Sequence, residues 1–349
     1  MWRRWGSALS GLGVDAIIEE VERLKRQETN KKLVYSAARV GVSNKSSSAK
    51  PSTYALHRSS AYLAAALLSK RKNEPSSLKE KSSRKEVLSD FRDIWRVVSH
   101  GTNVPSEANY SNHPNPFDDP FFKYYFDRFS EGKKTVLSSR LASVDELAKE
   151  AGLSSIDFLK IDTDGYELDV LKSSCDVLKS CLGVEVEVQF QGPVSDEANV
   201  FCNIDRFLRE KGFYLVSLQS WKYSRSALPK PFCYSIPAQT ECGPIAWGDA
   251  LYLRDVTKDV GNSDYNKKDL SQKLQNAVLL CDLYGLEDVS AEIILENPGL
   301  FCLPDDEILD FLAKKVYGPL VTYKSIWDAF FTKPIDFHKN LQKNRTYKA

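Results

Sequence analysis

Residues 156–168, IDFLKIDTDGYEL, constrain the architecture of this chain more than any other stretch. An apolar run ends in two aspartates one residue apart, Asp162 and Asp164, followed by Gly165. Helix formers resume at once in YELDVLKSSCDVLKS. This is a strand, an acidic turn and a helix, the ligand-facing half of an α/β unit. Side chains at a strand's carboxyl end open into the crevice where doubly wound sheets bind their ligands. The stretch predicts an α/β fold with acids at the crevice.

The same rhythm runs on both sides of it. Residues 14–18 (VDAII) read as a buried strand, 19–30 (EEVERLKRQETN) as a helix and 33–40 (LVYSAARV) as a second strand. Ser143-Val144-Asp145-Glu146 is a capping box, so a helix starts there and stops at Gly152. Residues 182–190 (LGVEVEVQF) alternate strictly, as a strand does; a helix over 201–211 and strands over 213–218 and 250–253 follow. From about residue 267 the period is helical only, as in QKLQNAVLLCDLYGL and DEILDFLAKKVYG. Four parts are expected: 1–42 and 131–255 as two halves of one α/β domain, 43–130 as an insertion, and 265–349 as a helical C-terminal region.

The insertion breaks the rhythm. Residues 43–86 are rich in Ser, Lys and Pro and cannot bury enough apolar surface to offset their ordering entropy. A solvated segment and a basic docking site both stay open for them. Residues 54–68 contain a short helical pattern. Residues 112–128 (NHPNPFDDPFFKYYFDR) read as a packing loop, either a lid or a plain hydrophobic clamp.

Composition excludes several classes. Lys and Arg number 48 and Asp and Glu 47, so a net charge of +1 gives no long-range pull toward nucleic acid or anionic membrane. No apolar run approaches the length that spans a bilayer. The start, MWRRWGSALSGLGVDAI, is broken by three glycines and ends in acid, which argues against a signal peptide. Seven scattered cysteines without a C-x-x-C pair suit reduced thiols in a cytoplasmic protein. The four histidines show no metal-ligand spacing, and no metal ligands are assigned.

Three chemistries place acids as Asp162 and Asp164 are placed. A phosphatase of the D-x-D-G-T type would use the first as nucleophile. Here Tyr166 replaces its Thr, and the candidate later acids Asp305 and Asp306 lie in an ordinary acidic helix start. A metal-dependent glycosyltransferase would hold Mn²⁺ against a sugar diphosphate with Asp162-Thr163-Asp164, helped by Lys160. The third chemistry is methyl transfer.

The whole segment DFLKIDTDGYELDVLKSS closely resembles one of the FkbM-type methyltransferases. Asp157, Lys160, Ile161, Asp162, Asp164, Gly165, Glu167, Val170, Leu171 and Lys172 all match it. Residues 140–147 (RLASVDEL), 184–187 (VEVE) and 247–252 (WGDALY) resemble flanking segments of that family. The resemblance covers roughly residues 5–255, with 43–130 poorly matched. It implies a Rossmann-like sheet, S-adenosylmethionine as cofactor, and transfer of a methyl to a hydroxyl of a sugar, glycan or related metabolite. It implies Asp162 and Asp164 as crevice acids that orient or deprotonate the acceptor, with Glu167 and Lys160 beside them. Glu19 or Glu20 would bind the cofactor's ribose, with Ala38 and Asp162 in its surroundings. A related macrolide group binds magnesium with a similar acidic motif, so a divalent metal stays open. Glu185 and Glu187 share a strand face, as site residues or as the polar edge of a half-buried strand.

One family feature is missing. The first strand and the glycine-rich turn for the cofactor's methionine end are not found. Residues 2–13 resemble the helix that would follow that turn, and 14–18 then resemble the second strand. In the usual order 3-2-1-4-5-7-6 the central strand would be lacking. The expectation is a methyltransferase with a Rossmann-like sheet lacking its first strand, through a truncated start, a strand supplied by another chain or a gap closed differently, and its activity in this form stays open. A non-catalytic domain whose helices and aromatic loop bind a protein partner is the other open reading.

Overall fold

The computed structural model describes residues 10–15, 18–40, 140–163, 166–192, 194–223, 239–259 and 267–332. The insertion expected over 43–130, with its proposed lid, lies outside the described residues. Contacts divide the chain into two compact units, residues 2–254 and residues 255–349 with Met1.

The first unit is mixed α/β. Strand β1 (Gly11–Asp15), helix α1 (Ile18–Gln27) and strand β2 (Leu33–Ala37) form a β-α-β unit whose strands pair in parallel. Short strands β3 (Arg39–Val40) and β4 (Leu141–Ala142) also pair in parallel. Helix α2 (Val144–Glu150), strand β5 (Phe158–Ile161), helices α3 (Glu167–Lys172) and α4 (Val177–Ser180) and strand β6 (Gly183–Gln189) follow. Helix α5 (Phe201–Glu210) and strands β7 (Phe213–Lys222) and β8 (Ile245–Arg254) complete the unit. The largest sheet has the order β5-β6-β8-β7, with β5 parallel to β6 and β8 antiparallel to both its neighbours. Among the described residues, β1 pairs with β2 alone and β5 with β6 alone.

Two element boundaries differ from the expectation. The first strand is GLGVD, not VDAII, so Gly11 and Gly13 belong to a strand rather than to a preceding helix. The reason lies across the ladder. A Cβ on Gly13 would meet the Tyr35 ring at 2.6 Å, so the glycine makes room for an aromatic ring over the strand. The helix expected to run unbroken through residues 166–180 is two helices. The Ser173 and Ser174 hydroxyls both donate back to Val170 O, at 2.8 and 2.6 Å, and end α3. The Asp145 carboxylate then accepts from Asp176 N and Val177 N and starts α4. Strands β7 and β8 also extend past the ranges 213–218 and 250–253.

The capping box at Ser143 is formed as expected. Its hydroxyl accepts from Glu146 N at 3.0 Å, and Glu146 accepts from Ser143 N at 2.9 Å. Gly152 ends the turn at φ +70°, a conformation that glycine adopts without a Cβ clash.

The alternation of β6 divides the large sheet into two faces. Val184, Val186 and Val188 are fully buried and pack with Ile161, Leu171, Leu178, Ile204, Leu208 and Tyr252. That apolar core lies between the sheet and the helices, and burial of this kind is worth about 1.5–3 kcal/mol per large side chain. The other face carries Lys160, Glu185, Glu187, Gln189, Trp247 and Asp249, as the register requires.

The second unit is helical: α6 (Val256–Asp259), α7 (Lys267–Tyr284), α8 (Glu287–Glu296), α9 (Asp305–Tyr317) and α10 (Tyr323–Thr332). Leu274, Cys281, Ile294, Leu309 and Leu312 are among its buried residues, and Lys315 joins Asp282 at 2.7 Å to Glu287 at 2.8 Å. Asp305 and Asp306 open α9, as their acidic helix start suggests. No described helix is long and apolar enough to cross a membrane.

Candidate active site

The acidic turn is held from below by one buried carboxylate. Glu167, the first residue of α3, is 1% exposed. Its Oε1 accepts from Thr163 N and from Thr163 Oγ1, both at 2.9 Å. Its Oε2 accepts from Asn199 Nδ2 at 2.6 Å. Asn199 Oδ1 in turn accepts from Leu168 N at 2.8 Å, one of the helix's first free N–H groups. The carboxylate therefore closes the turn on itself and ties it to the segment before α5. Thr163 is fixed by two bonds, and Asp162 is its chain neighbour. Asp162 itself is exposed.

Alternation along β5 buries Ile161 and turns Lys160 outward, onto the polar face. Lys160 pairs with Glu185, its cross-strand neighbour. Burial works against the ammonium, but the Glu185 carboxylate more than offsets it, and the Lys160 pKa is raised.

One row farther along the strands, Glu187 lies directly opposite Asp249. Like charges directly opposite in an antiparallel pair are destabilising, so the row is a candidate site. Asp162 sits one residue past β5, at the level of this row. Burial pushes the Asp249 carboxyl above its ordinary range. Lys160 pulls the other way, and the charges of Asp162 and Glu185 add to the effect of burial. Asp249 is thus an aspartate tuned toward holding a proton, close enough to Asp162 to feel its charge.

The predicted residues are distributed as follows. Asp162, Glu167 and Lys160 gather at the carboxyl end of β5. Asp164 lies outside the described residues. Glu19 and Glu20 lie within α1 rather than at a strand end, because β1 stops at Asp15. The Glu19 side chain is outside the described residues; Glu20 accepts from Arg23 Nε at 2.8 Å, within its own helix. Ala38 is 1% exposed and packs with Ala142 and Leu147, while its N–H donates to Asp15 O at 3.0 Å. It is a core residue that locks the end of β1. Sequence reasoning missed Asp249, Asn199 and Thr163. A lone acid in the apolar run IAWGDALYL was the signal for the first; the other two gave none, since their role depends on where Glu167 reaches.

Acids at the carboxyl ends of parallel strands are placed where α/β folds bind ligands in a crevice. Over residues 5–215 the chain matches the family described as Methyltransferase FkbM domain. That span is more than half of the chain and contains the acidic turn, Glu167 and Asn199, so the chain belongs to this family of methyltransferase domains. Comparisons with curated proteins and with solved structures gave no match.

Methyltransferases of this family typically use S-adenosylmethionine. The donor set fits the polar part of that molecule. Asp15, the last residue of β1, and Asp162, the first past β5, are carboxylates at the carboxyl ends of parallel strands. Carboxylates accept hydrogen bonds from hydroxyls such as those of a ribose. Among the described residues, no group of three or more His, Cys, Asp or Glu is placed to hold a metal ion.

Proposed function

We propose that this chain is an S-adenosylmethionine-dependent methyltransferase domain that methylates a hydroxyl oxygen of a sugar, glycan or related metabolite. The observation that carries the reading is the Glu167 clamp on the acidic turn, inside the matched span and beside the Glu187–Asp249 row. The strand order β5-β6-β8-β7 supports it too, since it is that of the last four strands of the Rossmann-like sheet usual for such enzymes.

When bound, S-adenosylmethionine supplies an electrophilic methyl group. The chain supplies position and a place for the proton. Asp15, rather than Glu19 or Glu20, takes the ribose hydroxyls in this reading. Asp162 accepts a hydrogen bond from a neighbouring hydroxyl of the acceptor and so aligns the reacting oxygen for in-line attack, with Asp164 two residues on. The hydroxyl proton passes to Asp249, whose raised pKa makes it a stronger base than an ordinary aspartate. Glu167 positions the turn and does not touch the reactants. Lys160 holds Glu185 and moderates the field of the acids. Among the described residues six cysteines are free thiols, which suits a reducing compartment, and we place the domain in the cytoplasm.

A second reading, non-catalytic binding of a protein partner, draws on the second unit, where Phe311 is 62% and Phe331 64% exposed. Calorimetric titration separates the readings. Saturable binding of S-adenosylhomocysteine is expected, with no heat from UDP-glucose and Mn²⁺. Heat from the nucleotide sugar alone would favour a glycosyltransferase, and silence from both the partner-binding domain.

A further inference from the structure

Next to the acid row on the same sheet face is a row that the reaction above does not use. Gln189 lies opposite Trp247, and Trp247 lies opposite Trp221. The two indoles stack at 4.5 Å between centroids and 3° between planes, and both are partly exposed. The Trp247 side chain lies beside the buried Tyr223 hydroxyl, which Gln239 Nε2 approaches at 3.5 Å. The aromatic pair is therefore fixed from behind before any ligand arrives.

Gln189 is the anomaly. It is 6% exposed, and its Oε1 is shielded from solvent with no hydrogen-bond partner among the described residues. An unpaired buried carbonyl costs about 1–3 kcal/mol, and buried polar groups are nearly always paired. This oxygen needs a donor that no described residue supplies. Gln189 is two residues beyond Glu187 on one strand, so the rows are ~7 Å apart.

We infer that Gln189, Trp221 and Trp247 form the end of the acceptor site that recognises a pyranose ring, holding the part remote from the reacting hydroxyl. The inference rests on the methyltransferase reading and adds the residues that choose its acceptor. The chemistry of the two rows selects the class. Asp162, Glu187, Asp249 and the Gln189 carbonyl all accept hydrogen bonds, so the ligand must be rich in donors. The carboxylates of Asp162 and Glu187 repel an anion, which disfavours a phosphorylated or carboxylated ligand. Partly exposed indoles suit a ring with an apolar C–H face. A neutral pyranose has that face and hydroxyl donors around its edge. Its breadth spans the separation of the rows, so one hydroxyl reaches the Asp162–Asp249 row while another donates to Gln189 Oε1.

The test is ¹⁹F NMR of the full chain labelled with 5-fluorotryptophan. The Trp221 and Trp247 resonances are assigned with the single Phe substitutions. The probes are methyl glycosides of glucose, galactose, mannose, xylose, rhamnose and fucose. At least one should shift both resonances saturably, and Gln189→Leu should weaken that binding at least tenfold while S-adenosylhomocysteine binding is kept. Gln189→Met, closer in length, replaces Leu if the first variant does not fold. Silence of both resonances with every glycoside overturns the inference. So does an unchanged affinity in the variant, which would mean that Gln189 holds only a resident water. Glycoside binding without S-adenosylhomocysteine binding would leave the sugar site standing and remove the methyltransferase reading. Cofactor binding with silent indoles would do the reverse.

Discussion

Glu167 carries a consequence that can be measured on the protein alone. Its carboxylate satisfies Thr163 N, Thr163 Oγ1 and Asn199 Nδ2. Glu167→Ala leaves buried donors without an acceptor, at a cost of about 2–3 kcal/mol in chemical denaturation. Glu167→Gln keeps an acceptor for Thr163 and should recover part of that loss. S-adenosylhomocysteine affinity should fall in the same order, since a loosened Thr163 displaces Asp162. A loss of affinity without loss of stability would instead put Glu167 in contact with the ligand.

Asp249 makes the opposite prediction. Its pKa is raised in the fold, so the folded state binds the proton more tightly than the unfolded chain. Its contribution is favourable below the ordinary aspartate value of about 3.9 and is lost as pH rises through the higher folded value. Asp249→Asn should therefore raise the melting temperature at pH 7–8, with the gain vanishing as pH falls toward about 4. The same substitution should lower kcat by about 10²-fold. A stabilised, slow enzyme is the pattern of a residue kept for chemistry. A variant equally active at every pH would remove Asp249 from the mechanism.

At the scale of elements, what was legible depended on whether the cause was local. The capping box at Ser143, the alternation of β6 and the acidic start of α9 are set by neighbours in sequence, and each was readable. The break between α3 and α4 was not. The two serines that end α3 are local, but the restart depends on Asp145, some thirty residues earlier, whose carboxylate takes Asp176 N and Val177 N at 3.0 and 2.9 Å. Asp145→Ala should cost about 1 kcal/mol, as loss of a helix cap does. Amide exchange should quicken at residues 176 and 177 while α2 keeps its protection. Unchanged exchange there would mean that the two serines alone end α3. GLGVD was equally hidden, because glycines argue against a strand until the Tyr35 ring across the ladder explains them.

For the whole molecule, the residues around the acidic turn showed the family, and the family match spans the sheet from before β1 into β7. The site was half legible. Asp162 and Glu167 belong to one contiguous motif. Asp249 and Gln189 join them only because β8 runs antiparallel to β6, a pairing that no single stretch of sequence states. The strand began three residues earlier than its apolar run suggested, which leaves Glu19 and Glu20 within α1 and puts Asp15 at the strand end.

The most direct test of the account is the calorimetric titration of S-adenosylhomocysteine, carried out on the full chain and on Asp162→Asn. The account predicts saturable binding at one site per chain, weakened at least tenfold by the substitution. No saturable heat with the unaltered chain, or equal affinity in the two, would contradict it.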